Sequence, residues 1–129
     1  MISTRLAAAL LAGLVLAGCA TQPVRELSRI FERKGEAQLR QGIKDYEDGK
    51  LSQASANFQA ALDAGLNKDD EVTAHKYLAF VYCVTKRDRQ CRAHFRIALE
   101  LNPEFELSPA EAGHPMWGPV FRSAKENRR

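Results

Sequence analysis

Gly42-Ile-Lys-Asp-Tyr-Glu-Asp-Gly-Lys-Leu-Ser-Gln-Ala54-Ser-Ala-Asn-Phe58-Gln-Ala-Ala61-Leu62 is answered further along by Ala79-Phe-Val-Tyr-Cys-Val-Thr-Lys-Arg-Asp-Arg-Gln-Cys91-Arg-Ala-His-Phe95-Arg-Ile-Ala98-Leu99. Gly42, Ala54, Phe58, Ala61 and Leu62 recur as Ala79, Cys91, Phe95, Ala98 and Leu99, every pair 37 positions apart. Small residues return where two helices can approach closely, with an aromatic between them. Five matches in one register point to a single unit used twice.

The periodicity around these stretches is helical. From Arg25 to about Asp48 the apolar residues Leu27, Ile30, Phe31, Leu39, Ile43 and Tyr46 are spaced by charges, and Gly49-Lys50 ends the run. A second helix is expected from Ser52 to about Ala64, closed by Gly65, with Asn67 to Asp70 as a loop. A third runs from Glu71 to about Thr85. A fourth runs from about Gln90 to Leu101 and stops at Asn102-Pro103. Strand alternation is absent, so the fold class is all-α.

Helical hairpins with these small residues, aromatics and a terminal proline resemble the tetratricopeptide repeat. Gly42, Gly49, Ala54, Phe58 and Ala61 match in the first copy; Leu78, Ala79, Tyr82, Phe95, Ala98 and Pro103 match in the second, over residues 36–103. Gln38 and His75 stand where the family usually has a first-helix aromatic, and Cys91 replaces a small alanine. The resemblance implies an α-solenoid of two hairpins over 25–103, with an N-terminal extended helix and a C-terminal capping helix. The first helix of each hairpin would line a concave groove. There Ile43, Tyr46, Tyr77 and Phe80 form an apolar strip with Arg40 and Lys76 beside it. Such a strip can hold a partner's peptide or helix. Equally, the N-terminal helix or the segment around Trp117 can fold back and fill it.

Residues 104–129 are read as a capping segment and polar tail. Ser108, Pro109 and Glu111 have the N-cap, first-turn and capping-box pattern of a helix start. Gly113-His-Pro115 breaks that helix, and Trp117 begins a last one. Phe105, Leu107, Met116, Trp117, Val120 and Phe121 would seal the open end of the second hairpin, as solenoids require. Alternatively, Trp117 with His114 and Arg122 belongs to a partner-binding surface.

At the other end, Arg5 precedes fifteen apolar or small residues, Leu6 to Ala20. That is short of the roughly 20 needed to span a bilayer, and the order of charge, apolar core and small residues is that of an export signal. Leu16-Ala17-Gly18-Cys19 resembles the lipobox of bacterial lipoproteins. The resemblance implies removal of residues 1–18, a diacylglyceryl thioether on Cys19, acylation (palmitate) of the new amine, and a lipidated tether over 19–24. Ala20 favours the outer membrane, facing the periplasm. The mature chain keeps 18 basic against 16 acidic residues, too balanced for a nucleic-acid partner. More than one acyl chain gives stable anchoring without help from charge.

Cys83 and Cys91 flank the tight turn of the second hairpin, and an oxidising compartment favours a disulfide between them. A buried reduced pair and a redox site are the alternatives. His75, His94 and His114 lie on different segments without zinc spacing, so neither metal nor cofactor is expected. No phosphate loop or nucleophile motif is present. Asp45, Glu47 and Asp48 could be read as the acids of a cell-wall hydrolase, yet they crowd a solvated helix end. Lys86, Arg87, Arg89, Arg92 and Arg96 form a basic turn with Asp88 as their only acid, which suits solvent, an anionic partner or lipid head groups.

The expectation is therefore a non-enzymatic, lipid-anchored envelope scaffold that binds a protein or peptide partner. The lipobox, the repeats and the tail Gly113-His-Pro-Met-Trp-Gly-Pro119 together resemble the small tetratricopeptide lipoproteins associated with type VI secretion, which implies a role in assembling that machine's membrane complex. An accessory subunit for peptidoglycan synthesis or turnover is the alternative.

Overall fold

The computed structural model describes residues 22–128, and only the backbone over 22–26 and 28–34. The expected export signal, Cys19 and the first residues of the expected tether lie outside the described residues. Among the described residues six helices follow one another: α1 (Gln22–Glu47), α2 (Leu51–Ala64), α3 (Lys68–Val84), α4 (Asp88–Leu101), α5 (Pro109–Ala112) and α6 (Gly118–Glu126). Among the described residues there is no strand, and no helix is long and apolar enough to cross a membrane.

Helix starts differ from expectation at α1, α3 and α4. Helix α3 begins at Lys68 instead of Glu71, because the Asn67 side chain accepts from the Asp70 N–H at 2.9 Å. Asp69, Asp70 and Glu71 then fall in the first turn, where the helix dipole favours negative charge. Helix α1 begins at Gln22, inside the segment expected to be tether. At α5 the expected start is present in full. Ser108 Oγ accepts from Glu111 N–H at 3.2 Å and Glu111 Oε2 from Ser108 N–H at 3.0 Å.

The turns joining α1 to α2 and α3 to α4 are built alike. Gly49 N–H donates to Tyr46 O and Lys50 N–H to Asp45 O (3.0 and 2.8 Å). Thirty-seven residues on, Lys86 N–H donates to Cys83 O and Arg87 N–H to Tyr82 O (3.2 and 2.8 Å). Both are Schellman closures, which need a left-handed residue after the helix. Gly49 (φ +75°) fills that position without strain, whereas Lys86 (φ +63°) fills it with a side chain. Cys83 and Cys91 close the second turn covalently, with their Cα atoms 5.1 Å apart. A loop this short is worth about 2.5 kcal/mol in the chain-entropy account.

Four of the five matched pairs are also matched in burial. Ala54, Phe58 and Ala61, like Cys91, Phe95 and Ala98, are wholly buried, as is Ala79, and Leu99 nearly so. Gly42 is buried as well, while Leu62 is half-buried. A Cβ on Gly42 would lie 2.7 Å from the Phe58 ring, so only glycine lets α1 approach α2 this closely. Leu39, Phe58, Ala74 and Leu78 centre one apolar cluster between α1, α2 and α3. Phe80, Phe95 and Leu99 centre a second, joined by Leu107, Trp117, Phe121 and Ala124 from the C-terminal segment. Tyr46, Tyr77 and Tyr82 pack against both clusters. The C-terminal segment is thus part of the core of the second hairpin.

Candidate functional site

Of the residues expected to form a strip on α1 and α3, Tyr46, Tyr77 and Phe80 come together, and Phe80 is covered. Tyr46 of α1 meets Tyr77 edge-on at 5.2 Å, and Tyr77 meets Phe80 at 5.8 Å. On its other side Tyr77 stacks on Phe58 at 5.4 Å. Phe80 is covered by Trp117, whose ring stacks on it at 4.2 Å and whose indole N–H donates to Glu111 O at 2.8 Å. His114 stacks on the outer face of Trp117, and Arg122 donates to Ala112 O at 3.4 Å. Only 2% of Phe80 and 7% of Trp117 remain accessible. The expectation that these two present a contact surface is corrected: they are each other's partners, and the segment around Trp117 fills that part of the strip.

Lys76 crosses the rim. Its ammonium lies 2.8 Å from Glu111 Oε1 and 4.7 Å from the centre of the Tyr77 ring. Burial pushes the Glu111 carboxyl up, but hydrogen bonds from Lys76 and Ser108 outweigh it and hold the group below the usual carboxylate range. Burial, together with Glu111, raises both the Tyr46 and the Tyr77 hydroxyl. The pair Lys76–Glu111 latches α5 to α3 and was not foreseeable from residues 35 apart. Arg40 is not drawn to Lys76; it is exposed and stands 3.9 Å from Glu36 of its own helix. Ile43 packs half-buried on the Leu39 cluster. What stays partly accessible is a band of Arg40, Ile43, Tyr46, Tyr77 and Lys76.

Asp45 does not sit at a solvated helix end. It is 5% accessible and accepts from the Gln41 and Asn57 side-chain amides at 2.9 and 2.8 Å, tying α1 to α2. Asp48 takes the Lys44 ammonium at 2.8 Å. Asp45 and Asp48 are thus engaged by separate partners.

Two histidines expected on unrelated segments come together instead. His75 Nδ1 of α3 lies 2.9 Å from His94 Nδ1 of α4, and the His94 ring is sandwiched between His75 and Tyr82 at 5.1 and 5.3 Å. Burial lowers the His75 pKa; burial and the neighbouring His75 push His94 down to about 4. Among the described residues no three His, Cys, Asp or Glu side chains gather as metal ligands.

No protein-family model matches the chain, and neither a curated protein nor a solved structure matches it.

Proposed function

We propose that this chain is a lipid-anchored periplasmic scaffold in which two tetratricopeptide-like hairpins present a docking band to a protein of the cell envelope. The observation that carries the reading is the duplicated turn. Two hairpins repeat the same closing hydrogen bonds and four of five buried positions at one offset, the pattern expected of a stacked repeat whose first helices share a face. On that face Tyr46 and Tyr77 are half-exposed, and amphipathic aromatics flanked by cations suit a partner helix or peptide. The export signal and Cys19 assign the anchor, and the Gly113–Pro119 tail favours a role in a type VI secretion membrane complex.

Two measurements test this. Mass spectrometry of the native amino terminus should find residues 1–18 removed and Cys19 carrying acyl groups; an intact, unmodified Met1 terminus overturns the anchor. A photo-crosslinking residue at Arg40 should capture an envelope protein in intact cells, while the same residue at the exposed Ala56 of α2 should not. Equal capture at both positions, or none, overturns the band. Capture of a peptidoglycan enzyme in place of a secretion subunit selects the accessory-subunit reading.

A further inference from the structure

A second surface, built from α4 and α6 and not from α1 and α3, has a different chemistry. Arg89, Arg92 and Arg96 occupy positions i, i+3 and i+7 of α4, one above another, and all three are exposed. Like charges at this spacing repel, at a cost of a few tenths of a kcal/mol per pair. None of the ion pairs among the described residues engages any of the three. Asp88 and Ala93 complete the shallow groove they line. Arg96 also borders a cleft of about 990 Å³ between α4 and α6, where Arg122, Lys125 and Arg128 face Glu100 and Glu126. Lys125 pairs with Glu106, and Arg128 donates to Leu99 O and Pro103 O at 3.4 and 3.0 Å, which fixes the far wall. Arg96 is common to the lining of groove and cleft.

We infer that this trough binds an acidic polypeptide segment of a partner, its carboxylates received by Arg89, Arg92, Arg96 and Arg122. Five of the six cations are arginines, whose planar forks receive carboxylates on two nitrogens at once. From Arg89 to Leu99 the helix rises about 15 Å, the length of about five extended residues. A flat lipid surface fits poorly. The cations border a concavity, and among the described residues of α4 and α6 no large apolar side chain is exposed. The trough is independent of the band around Tyr46 and of any lipid on Cys19, so either can fail alone.

The test uses the full-length protein in detergent and a fluorescein-labelled hexaglutamate peptide, read by anisotropy. The peptide should bind, and raising salt from about 50 to about 300 mM should weaken it. Arg92→Glu with Arg96→Glu should weaken binding by about tenfold or more; the milder Arg92→Gln with Arg96→Gln should fall between, and Lys68→Glu, at an exposed position outside both trough and band, should match the parent. Circular dichroism of each variant checks the fold. Absent binding at low salt, or undiminished binding in both double variants, overturns the trough. So does a preference for phosphatidylglycerol over phosphatidylcholine vesicles that the double variants lose while peptide binding persists, because the arginines then serve a membrane.

Discussion

At the scale of the residue, the His75–His94 contact is the most consequential feature that chain order hides. Facing Nδ1 atoms share one proton: one ring donates and the other accepts. A first added proton leaves that bond possible, but a second sets two N–H groups against each other. Both pKa values lie below the ordinary 6.5 and His94 near 4, so the unfolded chain binds protons that the folded chain refuses. The pair's contribution is complete above about pH 6.5 and is lost progressively as pH falls toward 4. The urea midpoint of the parent should therefore decline across that window more steeply than that of His94→Gln. Parallel declines would show that the pair does not titrate in this way. The arrangement was partly legible: in an antiparallel hairpin whose register is set by Cys83 and Cys91, His94 falls between the levels of His75 and Tyr82. Distance along the chain obscured it.

At the scale of the element, the two turns are the same object made with different residues. Gly49 and Lys86 are 37 apart and share a left-handed backbone, yet a side chain in that conformation costs about 1 kcal/mol. Lys86→Gly should raise stability by about 1 kcal/mol and Gly49→Ala should lower it by a similar amount, both measured by urea denaturation. A destabilised Lys86→Gly would mean that the turn does not carry this strain. The disulfide beside Lys86 offsets the cost locally, whereas the first hairpin has Tyr46 and Ala54 in place of its cysteines. The four long helices were readable from their apolar spacing. The early start of α3 was not, because it depends on whether Asn67 caps or merely loops, and the acidic first turn decided for the cap.

At the scale of the whole molecule, the C-terminal segment completes the second hairpin. Phe121 meets Phe95 at 5.3 Å and Phe105 at 5.6 Å, and Trp117 roofs Phe80. Trp117→Ala should cost about 3–5 kcal/mol, a large share of the roughly 5–15 kcal/mol that holds a small domain together. Urea unfolding should show it, with loss of cooperativity if α5 and α6 detach first; a change below about 1 kcal/mol would mean that the segment is an appendage. The residues of this seal were legible as an apolar set with a helix start. Their placement on the strip was not, since a single Trp reads equally as anchor or as plug until a neighbour such as Phe80 is found beneath it. Trp117 is the one tryptophan of the chain, wedged between an imidazole and a phenyl ring. Its fluorescence is therefore a single-site optical gauge of whether the tail is seated on the third helix, with no dye attached.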